Sequence, residues 1–378
     1  MEADEFPRAK TAVTIFKHDT VYNADSVEWC PHKPNTSFFV CGNYQLTAEK
    51  GAQDLGPSET RLGRILLFSI DFFQGLELHQ TIETAAVLDQ KWCPNQIDDA
   101  SILGVVNANH SLEIYKLFNK NLELVTKFLV IDDNSETLIL SLDWSTGKFD
   151  SQKPQIICSD SNGNIHLLQL ANNELIFQKT LHAHDFQAWI CGFNYWDANV
   201  FFSGGDDSIF LKFDLRCGDL PVAKNKLHEA GVTSLHSNKS REFVMVSGSY
   251  DEYVRLWDVR TFKAPLNELK MPGPLWRLKW DPFCQKFLLA ACMLGGVHVI
   301  QANVLDNMMI ADSYYEHKNI AYGADWSFLE PQDAGKFSAK ANVVFGSCSF
   351  YDNLLCVGAI ICDFNSDSHD KDTSATNE

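Results

Sequence analysis

One pattern recurs seven times along the chain and constrains the fold more than any other feature. A short strand ends on an aromatic residue, a turn follows, and then comes an apolar strand ending in small residues. An Asp- or Asn-rich turn leads into a third strand. The units run SVEWCP…FFVCGNYQL, VLDQKWCP…ILGVVNANHSLEIYKL and LSLDWSTG…IICSDSNGNIHLLQL. They continue WICGFNYW…VFFSGGDDSIFLKFD, VTSLHS…VMVSGSYDEYVRLWD, LWRLKWDP…LLAACMLGGVHVI and YGADWSFL…VVFGSCSFYDNLLCVGAI. The strand-ending tryptophans set the period: 63 residues from Trp29 to Trp92, 52 from Trp92 to Trp144 and 46 from Trp280 to Trp326. A polar insertion, roughly 47–61, lengthens the first interval. Without it the spacing approaches the ~40–45 residues of a four-stranded propeller blade. Shorter β segments between the units, Leu76–Ile82, Glu174–Thr180 and Pro221–Leu227, suit the outer strands.

The seventh unit lacks a fourth strand, because a polar tail, 362–378, follows it. Thr11–His18 is the free strand at the other end. A strand supplied from the N-terminus would close the ring and cover its last edge. The expectation is an all-β, seven-bladed β-propeller over 1–361, closed by that strand. A chain of β-hairpins without helical periods argues against α/β folds. The longest apolar stretch, Phe287–Ile300, carries Gly295, Gly296 and His298. It is too short and broken to span a bilayer and reads as two buried strands around a tight turn.

The unit resembles the WD repeat. The fifth matches best, with His228, Ser247, Asp251, Trp257 and Asp258; the fourth has His184, Ser203, Asp207 and Phe213 in the Trp place. In such repeats the His, Ser, Asp and Trp bond to one another within a blade.

Composition narrows the function. Lys plus Arg total 31 against 49 Asp plus Glu, a net charge of −18. That disfavours a nucleic-acid binder, which needs a basic footprint. The 11 cysteines are odd in number and none is spaced C-x-x-C. They read as reduced thiols of an intracellular protein. The acidic first ten residues are no signal peptide. A cytoplasmic, monomeric protein is expected, with neither metal nor cofactor. No nucleophile elbow, phosphate loop or zinc motif is present.

Two features speak for chemistry. The residue before each strand-ending aromatic is Glu28, Lys91, Asp143, Lys279 or Asp325 in five units, with Gly192 and Leu235 in the others. Innermost strands surround the axis, so these charges should line a wet channel or pair with one another across it. The positions at one rim hold Trp189, Asp206, Tyr250, Trp276, Tyr322 and Tyr351. Aromatic faces and carboxylates together attract quaternary ammonium groups, and Trp and Tyr equally suit a protein interface.

Several strings as a set, among them ADSVEWCP, AWICGFNYW, SLDWSTGK, WRLKWDPF, YGADWS and CSFYD, resemble the diphthine methyl ester hydrolase family of WD-repeat proteins. The likeness runs from about Asp25 to Asp352. It implies that the chain demethylates methylated diphthine on a histidine of translation elongation factor 2, readying the carboxylate for amidation to diphthamide. The substrate would carry a trimethylammonium group and a methyl ester.

Without an elbow serine, activated water is favoured over a covalent nucleophile. His184 or Asp206 is the expected base, and Arg277 the group for the oxyanion or product carboxylate. Trp189, Tyr250, Trp276, Tyr322, Tyr351 and Asp325 are the expected substrate-binding residues. His184 has a second reading, as the blade histidine bonded to Asp207, and Cys348 is expected in the core. The competing class is a WD-repeat adaptor without an active site.

Overall fold

The computed structural model describes residues 11–49, 58–131, 136–145, 148, 153–302, 307–339 and 341–364. The acidic start, the centre of the polar insertion and most of the polar tail lie outside them. Seven four-stranded antiparallel sheets are arranged around one axis; six are hydrogen-bonded in sequence order from the innermost strand outward, and the seventh takes its outermost strand from the N-terminus. The innermost strands of blades one to four are Asn23–Trp29, Val87–Trp92, Ile139–Trp144 and Ile190–Asn194. Those of blades five to seven are Val232–Ser237, Arg277–Trp280 and Ala321–Trp326. Below, the upper rim is where these strands begin and the lower rim is where they end.

The N-terminal strand Val13–Asp19 pairs antiparallel with Leu354–Ile360 and completes blade seven, as expected. It also grips blade six. Thr14 Oγ1 lies 2.8 Å from the Tyr314 hydroxyl, and Lys17 pairs with Glu316. Phe287–Ala291 and Val297–Gln301 are the two buried strands expected in the long apolar stretch. Gly296, at φ +93°, makes the turn between them. No helix among the described residues is long and apolar enough to cross a membrane. One short helix, Pro331–Phe337, interrupts blade seven and was not anticipated. It has Pro at its start, Asp333 in its first turn and Lys336 in its last, the arrangement that suits helix ends.

Among the described residues, neighbouring blades share no β ladder beyond the single bridge Met293–Ala321, so side chains do much of the tying. Four innermost tryptophans reach back to the blade before them; the indole N–H of Trp29 has no partner among the described residues. The indole N–H of Trp92, Trp144 and Trp326 donates to the carbonyl of Glu28, Lys91 and Lys279, at 3.1, 2.9 and 2.9 Å. Trp280 donates to His236 O at 3.1 Å. That contact corrects one alignment: blade five places His236, not Leu235, at the channel position. Blade five ends this strand on Ser237 rather than on an aromatic residue, so a count taken from His236 falls one residue short.

Within blade five the polar set forms a chain. Trp257 Nε1–H donates to Ser247 Oγ at 2.7 Å, and Ser247 is 2.8 Å from His228 Nε2. His228 Nδ1 meets Asp251 Oδ2 at 2.8 Å, and Arg255 adds a 2.6 Å bond to the same carboxylate. Burial alone would push the Asp251 carboxyl up; the bonds and charges of His228 and Arg255 outweigh it and hold it well below the usual range. Asp251→Ala strands buried His228 and Arg255. It should cost about 1–3 kcal/mol, seen as a lower Tm in calorimetry. An unchanged Tm would show that the chain of bonds contributes nothing.

Candidate functional site

Each innermost strand alternates its side chains, so every second residue faces the axis. Two tiers result. The lower tier, one residue before the strand-ending aromatic, holds Glu28, Lys91, Asp143, Gly192, His236, Lys279 and Asp325. Its charges pair rather than stand free. Lys279 Nζ is 2.5 Å from Glu28 and 3.9 Å from Asp325, and Lys91 is 3.6 Å from Asp143. The same side chains tie blades together. Asp325 accepts from Trp29 N–H at 2.8 Å, Asp143 from Phe193 N–H at 2.6 Å and His236 from Trp280 N–H at 2.9 Å. A cavity of about 170 Å³ is lined by this tier and by Trp29, Trp92, Trp144, Trp280 and Trp326, and it reaches up to Arg277.

The upper tier, two residues earlier, holds Asp89 of blade two and Arg277 of blade six. The guanidinium reaches across the channel to within 3.4 Å of Asp89. Burial works against the Arg277 charge, but Asp89, Glu28 and Asp25 outweigh it and keep the group cationic. Above Arg277 the aromatic residues meet. The Trp276 ring lies 4.5 Å from Tyr322, 5.7 Å from Trp189 and 6.0 Å from Tyr250. Tyr322 continues to Phe350 at 5.2 Å and Phe350 to exposed Tyr351 at 5.0 Å. All but Tyr351 are half-buried. Trp189 Nε1–H donates to exposed Asp206 at 3.0 Å, which places a carboxylate on the wall. Gly231 keeps this edge tight: a Cβ there would stand 3.0 Å from Asp206 Oδ1 and 3.3 Å from the Tyr250 ring. Burial first, then the Asp206 charge, pushes the Tyr250 phenol up to about 12, so it stays protonated.

The structure thus joins Trp189, Tyr250, Trp276 and Tyr322 above Arg277, with Asp206 and Tyr351 at the margins. Asp325 is elsewhere, on the lower tier and engaged with Trp29 and Lys279. His184 is also apart. It is buried in blade four, with Nδ1 3.0 Å from Asp207 and Nε2 2.8 Å from Ser203. Both ring nitrogens are used inside the blade, which matches its second reading. Cys348 is fully buried, as expected of a core thiol.

The residue that sequence reasoning missed is Asp25. Ala24 pairs with Asn43 and Ser26 with Gly42, which leaves Asp25 as the bulged residue at the top of blade one. The corresponding step of blade seven holds Tyr322. Asp25 is 5% exposed, and its Oδ2 has no hydrogen-bond partner among the described residues. The same is true of the neighbouring Ser26 Oγ, and of Trp276 Nε1. Counting four residues back from Trp29 would have found it.

The fold and site define a WD-repeat propeller with an aromatic funnel at one rim. The WD domain, G-beta repeat family matches residues 221–258. A solved structure, the crystal structure of the mitotic checkpoint complex, contains a chain with a TM-score of 0.67 at 13% identity, covering 96% of each chain; it shares the fold alone. The chain belongs to the diphthine methyltransferase family. The Homo sapiens relative named diphthine methyltransferase is 37% identical over 82% of this chain and 74% of its own length. The Dictyostelium discoideum diphthine methyltransferase homolog is 36% identical over 89% and 96%. Diphthine is common to these names and to the resemblance; the reaction they name differs.

Two buried carboxylates, Glu28 and Asp325, share Lys279. Burial pushes Glu28 up despite the ammonium, and the Asp325 charge adds to the rise. A carboxyl raised in the fold binds its proton more tightly there than in the unfolded chain. Its contribution is present at low pH and is lost as pH rises through the folded value. Stability relative to Glu28→Gln should therefore fall from pH ~5 to ~8, by up to ~1.4 kcal/mol per unit for one proton. Parallel Tm–pH curves for the two proteins would contradict this.

Proposed function

We propose that this protein hydrolyses the methyl ester of methylated diphthine on translation elongation factor 2, releasing methanol and the carboxylate that is later amidated to diphthamide. The observation that carries the proposal is the stack of Trp189, Tyr250, Trp276 and Tyr322 directly above Arg277. The ring faces and Asp206 would hold the trimethylammonium group. The ester, a short arm away, would then lie deeper, where Arg277 stabilises the oxyanion of the tetrahedral intermediate and afterwards the product carboxylate. Half-burial of the rings excludes water from the cation while leaving a path for a side chain presented by a large partner.

Methyl transfer to diphthine is the second reading, favoured by the name its relatives carry. The purified chain should release methanol from methylated elongation factor 2. Incorporation of a labelled methyl group from a methyl donor, without methanol release, would overturn hydrolysis in favour of transfer.

The wall makes its own prediction. Trp276→Ala and Asp206→Asn should each remove about 1–2 kcal/mol of substrate interaction, a ~5–30-fold loss in kcat/KM, with the protein still folded. The Asp206 effect should shrink in high salt, because an exposed charge is screened. Wild-type kinetics in both variants would move the substrate off this rim.

A further inference from the structure

Asp25 is expensive to keep. A buried carboxyl without a full set of partners is disfavoured as an anion. Burial drives its pKa up to about 8; the Arg277 charge opposes the rise and Asp89 adds to it. The titratable groups that face it are Arg277 from blade six, Asp89 from blade two, and Tyr322 and Cys348 from blade seven. None is a hydrogen-bond or ion-pair partner of Oδ2, and Arg277 instead leans on Asp89. Two further buried polar atoms are also unspent: Ser26 Oγ, next on the strand, and Trp276 Nε1 of the aromatic wall. A β-bulge puts the side chain there, and bulges are the means by which strands re-aim a residue beside an active site. A buried acceptor, a hydroxyl and an indole N–H left unsatisfied near a guanidinium that only Asp89 pairs describe a site waiting for polar atoms, not a structural knot.

We propose that Asp25 is the acid–base residue of this site, acting on a water molecule and a carboxylic ester bound between it and Arg277. The proposal rests on the ester-hydrolysis reading. The Asp25 carboxylate takes one proton from water as the water oxygen bonds to the acyl carbon. The carbonyl electron pair moves onto oxygen, facing Arg277 and the Trp276 N–H. The intermediate collapses, the acyl–OCH₃ bond breaks with its electron pair on methoxide, and Asp25 returns the proton to give methanol. The remaining proton of the water leaves to solvent as the product acid ionises. No redox step is involved.

The base must be ionised, so kcat/KM should rise with pH and level off near the Asp25 pKa of about 8. The experiment measures methanol release from methylated elongation factor 2 against pH, and Tm on the same preparations, for wild type, Asp25→Asn and Asp25→Glu. Asp25→Asn should lower kcat at least ~10²-fold with little change in KM. It should leave Tm unchanged or higher, since it removes a costly buried acid. Asp25→Glu should recover part of the rate with a displaced pH profile. A folded Asp25→Asn protein with wild-type kcat, or a profile that the substitutions leave in place, overturns the assignment while ester hydrolysis stands. A lowered Tm with normal turnover per folded molecule overturns it too, by making Asp25 structural. Absence of methanol release by wild type removes the hydrolysis reading and the assignment together.

Discussion

Seven separate sheets must be fastened into a ring although, among the described residues, only the single bridge Met293–Ala321 crosses from one to the next as a β pairing. The fastening lies on the innermost strands. An indole N–H reaches the carbonyl of the preceding blade at Trp92, Trp144, Trp280 and Trp326. Channel side chains accept from backbone N–H groups of the following blade at Asp325, Asp143 and His236. These bonds require polar and charged groups near the axis, and charge inside a protein must be paired. Lys91 and Lys279 supply that pairing. Blade closure therefore explains the lower tier without appeal to a ligand, and it separates Asp325 from the site above.

The upper rim obeys a different logic. Its aromatic rings touch one another but leave faces open, and the polar atoms below them, Asp25 Oδ2 and Trp276 Nε1, are buried without partners. Such atoms cost stability, and proteins retain such costs at functional sites. Two neighbouring tiers of one channel thus differ in kind. The charges of one pair with each other and hold the ring together, and the other leaves a buried carboxyl oxygen and an indole N–H unpaired among the described residues.

Much of this was legible in the chain. The repeat gave seven blades because its tryptophans return at blade spacing, and the strandless end of unit seven pointed to Thr11–His18, where the structure has Val13–Asp19. The rim aromatics were found because the same offset in each unit lies at the same height. What escaped did so for local reasons. Blade five has no strand-ending aromatic; its strand ends on Ser237, and counting from His236 put Leu235 where His236 stands. Asp25 was hidden because a carboxyl in an acidic chain carries no signal until its burial and its missing partner are seen. His184 looked like a base because it stands in sequence near Trp189 and Asp206. The fold turns it into blade four, to Asp207 and Ser203. The helix Pro331–Phe337 is too short for a periodic signal.

The central claim is that the funnel above Arg277 holds a trimethylammonium group and presents an ester to the buried polar atoms. A crystal structure of the protein with a non-hydrolysable trimethylammonium ester analogue tests it most directly. The account predicts the ammonium within ~6 Å of the Trp276 ring centroid, the distance at which a cation is held by a ring face. It also predicts the carbonyl oxygen directed at Arg277. An analogue seated instead in the cavity between Trp29, Trp92 and Trp144 at the lower rim would contradict it.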